Sequence, residues 1–340
     1  MSTAAIPRPH QQAVSETLAR FGWTALGQPE PVPNSSANDN YGVETDAGRR
    51  FVRIHRKSKT RPEIEAELRL LAWARGRLPV IEPFAAADGR TIFSSSGRLV
   101  TCWPWVEGSS IGLAEFETEA AAERMGALHG ELDSVLAGYD GVALPRTRMD
   151  WDTDRTMGTL SRIDDLIRYA AVPSELQLAV QRDLRFQLTL LEGGEAVPPS
   201  ELTGLDVRPV HGDFHRGNVL FRADGSVAAI VDWDSASVQP ALYGLVRALF
   251  IVCHLVPERV AAYLRAYYAR SPVDAEVAGA SVEVFWQNAL HSPWPYDQRF
   301  IEGDHRAERF LAPQAANLRW LADRANRRRL ADQIRAAAGA

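Results

Sequence analysis

Hydrophobic positions recur at helical spacing at the start of the chain, give way to short alternating runs, and return to helical spacing after about residue 105. Residues 9–21, with Val14, Leu18 and Phe21 on one face, predict a short helix that stops at Gly22. From residue 26 to 54 brief strand-like pieces alternate with turn residues, and two antiparallel hairpins fit them best. Residues 61–73 place Ile64, Leu68 and Leu71 on one helical face, with Pro62 suited to the first turn and Gly76 to the stop. Strand patterns follow at 81–85, 91–94 and 98–103, with Asp88-Gly89 as a turn. Helical patterns then cover 115–136, 154–169, 174–191, 243–255, 257–269, 274–290 and a long run from 305 to 327 or beyond. The expected class is α+β: a sheet-rich unit with one main helix over residues 1–105, then a larger, mostly helical unit over 106–340.

The helical run is interrupted once, by Val210-His211-Gly212-Asp213-Phe214-His215-Arg216-Gly217-Asn218-Val219-Leu220-Phe221 and then Ala229-Ile230-Val231-Asp232-Trp233-Asp234. Asp213 is followed five residues later by Asn218 and fourteen residues beyond that by Asp232. The spacing suits metal-assisted phosphoryl transfer: one carboxylate accepts the proton of an attacking hydroxyl, while the amide and the other carboxylate hold a cation that neutralises phosphate charge. Hard oxygen donors without a thiolate cluster fit Mg²⁺ better than zinc.

Composition narrows the alternatives. The 340 residues are 46% hydrophobic, enough for a sizeable core, and the net charge of −5 leaves no basic footprint for nucleic acid. Arg327-Arg328-Arg329 reads as a solvated face of a terminal helix. No signal-peptide core is visible near Met1, and the most apolar run, 241–256, is broken by Arg247 and His254, so a cytoplasmic protein away from membranes is expected. Cys102 and Cys253 are far apart and form neither a disulfide framework nor a metal site. There is no G-x-G-x-x-G and no G-x-x-x-x-G-K-[ST], which argues against a P-loop kinase.

The two blocks around Asp213 and Asp232 resemble the aminoglycoside phosphotransferase and choline kinase-like family, whose fold is similar to that of protein kinases. The flanking residues are most similar to its homoserine kinase type II and stress-response kinase branch. The resemblance implies a bilobal protein-kinase-like fold, ATP and Mg²⁺ as cofactors, and transfer of the γ-phosphate to a small-molecule hydroxyl by a monomer or homodimer. Asp213 is then the catalytic base, Asn218 and Asp232 the metal ligands, and His211 a structural brace. In the kinase pattern a lysine holds the α- and β-phosphates; here Arg53 stands in the matching strand, as in the homoserine-kinase-like branch, and shares a face with Phe51. Its acidic partner is expected on the next helix, Glu67 first and Glu63 second. Ser36, within 35–40, is expected to cover the phosphates, and Cys102, Trp103 and Trp105 to line the adenine site.

Several positions stay open at this level. His215, Arg216 and Asp234 are candidates for substrate or loop contacts, and Trp286 for an aromatic acceptor box, with core packing as its alternative. A protein kinase of the stress-response type, an aminoglycoside-modifying kinase and a nucleotide-binding scaffold without catalysis are the rival readings. The short run from Asp232 into the next helix leaves no activation loop, and the mixed-to-basic tail disfavours a polycationic acceptor.

Overall fold

The computed structural model describes residues 6–32, 38–110, 117–146, 151–198, 202 and 205–339. The chain forms two compact units: one comprises residues 1–112, 138–145 and 211–236, the other 113–137, 146–210 and 237–340. The segment carrying Asp213, Asn218 and Asp232 thus belongs with the N-terminal residues.

In the first unit, α1 (Arg8–Ala19) precedes a five-stranded antiparallel sheet of β1 (Glu30–Pro31), β2 (Asp39–Thr45), β3 (Gly48–Ile54), β4 (Ile92–Ser95) and β5 (Arg98–Pro104), in the order β1-β2-β3-β5-β4. The pleat sorts the side chains of central β3. Val52 and Ile54 face a core built with Tyr41, Val100 and with Val14 and Leu18 of α1. Arg53 faces the other way, opposite Asn40 on β2 and Thr101 on β5. Between β3 and β4 lies α2 (Arg61–Ala74); Glu63 closes its N-terminus by accepting from the Thr60 N–H at 2.7 Å. Residues 81–85 form no strand, contrary to their alternation. Phe84 N–H donates to the Cys102 carbonyl, and the Asp88-Gly89 turn closes on itself through Ala86 and Arg90 rather than heading a hairpin.

The hairpin of β7 (Val219–Phe221) and β8 (Val227–Ile230) completes this unit, with a register shift at Leu220/Phe221. In the second unit β6 (Val207–Val210) pairs with β9 (Ser237–Pro240), so residues 211–236 run as an excursion between two paired strands. Among the described residues the α-helices of this unit are α3 (Glu119–Leu136), α4 (Thr153–Arg168), α5 (Glu175–Glu192), α6 (Ala241–Ile251), α7 (Pro257–Tyr268), α8 (Ala275–His291), α9 (Tyr296–Phe300), α10 (Glu308–Ala322) and α11 (Arg324–Ala338). Buried polar pairs tie α3 to α7: His129 Nδ1 lies 2.8 Å from the Tyr263 hydroxyl, and the Tyr267 hydroxyl donates to Asp133 at 2.6 Å. The single helix expected from 305 onward is two. Asp323 ends the first and caps the second by accepting from the Ala325 N–H, an option that helical periodicity does not reveal. Among the described residues no helix is long and apolar enough to cross a membrane.

Candidate active site

The turn after β6 is built on His211 and Gly212. The His211 ring is buried, accepts from the Asp213 N–H at Nδ1 (3.2 Å) and meets the Val231 carbonyl at Nε2 (3.0 Å), joining the Asp213 turn to the strand before Asp232. That pattern requires a neutral ring with its proton on Nε2. Burial, outweighing the nearby Asp213 carboxylate, pushes its pKa down to about 4. Gly212 has φ +80°, and a Cβ there would lie 2.2 Å from the Ser235 carbonyl oxygen, so only glycine lets the two loops approach this closely.

Asp213 and Asn218 meet directly. The Asn218 amide nitrogen donates to the Asp213 backbone carbonyl at 2.8 Å and to its Oδ2 at 3.2 Å. This commits the nitrogen end of the amide and leaves its oxygen directed elsewhere. His215 Nε2 lies 3.5 Å from the same Oδ2, while Nδ1 accepts from the Gly217 N–H at 3.0 Å. Arg216 is half-buried in the 3₁₀ turn Arg216–Asn218.

Asp232 sits in the left-handed region at φ 62° and ψ 59°, a conformation costing a non-glycine residue about 1–3 kcal/mol. Its Oδ1 lies 3.1 Å from Arg53 Nη2. Arg53 also donates to Asn40 Oδ1 at 3.3 Å and lies over the Phe51 ring. Burial works against its charge, but Asp232 and then Glu67 more than offset that and raise its pKa. The partner expected for Arg53 was Glu67; among the described residues the ion pair is made by Asp232 instead. Glu67 is buried with no hydrogen bond or ion pair to Arg53, one carboxylate oxygen has no hydrogen-bond donor, and burial pushes its pKa up to about 7 against the pull of Arg53. Glu63, the second candidate, is used in the α2 cap.

Asp234 is engaged within the fold. Its carboxylate pairs with Lys59 Nζ at 2.9 Å and with Arg56, and Lys59 also donates to its carbonyl at 2.8 Å. Burial raises the pKa of this carboxyl, yet Lys59 and Arg56 together hold it below the ordinary value. Lys59 and Arg56 are the residues that sequence reading passed over. Their signal was a charge cluster at the end of β3 that looks like a solvated turn.

The remaining expectations fare unevenly. Ser36 lies outside the described residues. Cys102 alternates to the core face of β5, and its carbonyl accepts from Phe84 N–H, so its side chain cannot line a nucleotide site. Trp103 is buried on the Arg53 face, donating to Thr101 Oγ1 at 2.8 Å. Trp105 is stacked beneath the Arg49 guanidinium, 3.9 Å from the ring centroid. Trp286 is fully buried in α8 under Arg327, which removes it from any acceptor box. Two hard oxygen donors, the Asn218 amide oxygen and the Asp232 carboxylate, would suit a magnesium ion, which would supply charge neutralisation for phosphate there. Among the described residues no cluster of three His, Cys, Asp or Glu side chains forms a closed metal cage.

These loops on an antiparallel sheet define a phosphotransferase of the kinase-like class, and the comparisons agree. The model of the phosphotransferase enzyme family matches residues 29–280, and the chain belongs to that family. No curated protein matches the sequence. Among solved structures, spectinomycin phosphotransferase in complex with ADP and spectinomycin is similar at TM-score 0.61 and 14% identity, covering 95% of this chain and 98% of that one. A microcompartment-associated aminopropanol kinase aligns at TM-score 0.60 and 18% identity, over 94% and 99%. The GDP complex of an aminoglycoside 2′-phosphotransferase aligns at TM-score 0.58 and 14% identity, over 93% and 99%. At these identities the neighbours show the fold, and they select no branch of the family.

Proposed function

We propose that this chain is a cytoplasmic, Mg²⁺-dependent kinase, monomeric or homodimeric, that moves the γ-phosphate of ATP to a hydroxyl of a small molecule. Amino alcohols, homoserine-like amino acids and sugars fit the reading. The observation that carries it is the Asp213–Asn218 pair: the Asn218 nitrogen holds Asp213 Oδ2 at 3.2 Å, orienting a base while freeing the amide oxygen for the cation. Asp213 receives the acceptor hydroxyl's proton as the oxygen attacks phosphorus in line with the departing ADP. Arg53 binds the α- and β-phosphates through its planar fork. Asn218 and Asp232 hold the magnesium, which when bound neutralises charge on the phosphates. The neighbours' ligands, ADP in one and GDP in another, support a nucleotide donor, and spectinomycin and aminopropanol support a small acceptor.

The test is transfer of label from γ-labelled ATP with Mg²⁺ to aminopropanol, homoserine, spectinomycin, an aminoglycoside and a protein substrate. Wild type labels one of the small molecules, and Asp213→Ala loses that transfer by about 10²- to 10⁴-fold. Undiminished transfer in Asp213→Ala refutes the mechanism, and label appearing only in protein refutes the acceptor class.

A further inference from the structure

Both ring nitrogens of His215 face partners within its own loop. Nδ1 accepts from the Gly217 N–H at 3.0 Å, and an accepting Nδ1 in a neutral ring places the proton on Nε2. Nε2 in turn points at Asp213, 3.5 Å from Oδ2, the same oxygen that takes the Asn218 amide. The chain makes room for this ring: a Cβ on Gly217 would lie 2.9 Å from His215 Cε1 and 3.1 Å from Nδ1. The spacing His215-x-Gly217-Asn218 therefore encodes a ring, the space that admits it, and a second donor to the same carboxylate.

Resting on the assignment of Asp213 as base, we propose that His215 is a positioning residue for Asp213. Its Nε2–H and the Asn218 amide together hold Oδ2, which fixes the plane in which the carboxylate meets the acceptor hydroxyl. The 3.5 Å separation is longer than a formed N–H···O bond and closes when the acceptor orders the loop, as catalytic hydrogen bonds do on forming the reactive complex. His215 itself takes no proton in the reaction. Arg216, half-buried, follows it in the chain, and the nearby His211 is committed to the Asp213 N–H and to Val231.

Four variants separate this role from a phosphate contact and from simple loop stability. The glutamine amide reaches the position of Nε2, whereas asparagine reaches only that of Nδ1. With Mg²⁺ and ATP as probe, and phosphoryl release followed with the acceptor found above and with water alone, His215→Ala lowers kcat on the order of 10²-fold, the effect of a misplaced reacting group. Nucleotide affinity stays within twofold. His215→Gln recovers most of kcat and His215→Asn does not. Gly217→Ala displaces the ring and lowers kcat similarly, yet adds nothing in the His215→Ala background. Histidine ¹⁵N spectra of the intact protein, with His215 assigned by its loss in His215→Gln, show the Nε2–H tautomer and a shift of that signal in Asp213→Asn. Unchanged kcat in His215→Ala overturns the proposal, as does a loss carried by nucleotide affinity, recovery by asparagine equal to that by glutamine, or an Nδ1–H tautomer. Asp213→Ala, assayed in parallel, isolates the underlying reading: full turnover there refutes the base, whereas an inactive Asp213→Ala beside a fully active His215→Ala refutes only the role of His215.

Discussion

Arg53 Nη2 lies 3.1 Å from Asp232 Oδ1, so the cation proposed for the phosphates and the carboxylate proposed for the metal neutralise each other. Neither group is left as an uncompensated charge. Each can exchange its partner for a nucleotide phosphate or a cation without a net loss of charge pairing.

Arg53 follows directly. Arg53→Ala is expected to lower kcat/KM for ATP by about 10²- to 10³-fold, the scale of one lost electrostatic donor. Arg53→Lys, which keeps the charge but not the fork, should fall between the two. Steady-state kinetics with ATP varied checks both.

On the proposed mechanism Asn218 divides its amide between base and metal. Asn218→Ala should lower kcat by about 10²-fold and raise the Mg²⁺ concentration needed for half-maximal rate. Chelation should abolish turnover in wild type, with recovery on adding Mg²⁺. A magnesium titration of both proteins is the measurement.

Lys59 and Asp234 are both buried, 4% and 7% exposed at the side chain, and 2.9 Å apart. Removing one partner leaves the other charge unmatched, so Asp234→Ala is expected to cost about 3–5 kcal/mol. Lys59→Met with Asp234→Leu together should cost less than the sum of the singles. Urea unfolding of the single and double variants tests this.

Glu67 governs a pH dependence. Its carboxyl titrates near 4.5 when unfolded and is pushed up to about 7 by burial in the fold. Below pH 4.5 both states are protonated and no difference arises. Between 4.5 and 7 only the unfolded state ionises, so stability falls by about 3 kcal/mol across that window and levels off above it. Glu67→Gln should flatten this fall, read from urea midpoints at pH 5, 6, 7 and 8.

Gly212→Ala forces a Cβ to within 2.2 Å of the Ser235 carbonyl at a positive φ. A destabilisation of about 3 kcal/mol or more is expected, together with lost transfer, because Asp213 is the next residue. Thermal unfolding with and without saturating nucleotide tests the prediction.

Much of this architecture is written locally. The helical spacing of α1 and α2, the alternation that turns Arg53 away from Val52 and Ile54, and the interval from Asp213 to Asn218 to Asp232 follow from backbone periodicity and turn residues. Short-range geometry suffices for each. The errors arose where local pattern leaves a choice. Residues 81–85 alternate like a strand, but only one of their hydrogen-bonding groups finds a partner on β5; periodicity likewise runs across Asp323, whose side chain stops one helix and starts another.

What the chain by itself determined is which residues are candidates for the chemistry and in what order they come; which of them meet was decided by tertiary structure. Asp234 was ambiguous because its partners Lys59 and Arg56 lie 175 and 178 residues away, and a charge cluster after a strand looks solvated until the loops close over it. Glu67 was expected to touch Arg53 on the strength of a helix following a strand. The choice instead fell to Asp232, whose left-handed backbone directs its carboxylate onto β3. Long-range pairs of this kind depend on sheet register and loop closure together, and neither is encoded in the few residues around any one member of the pair.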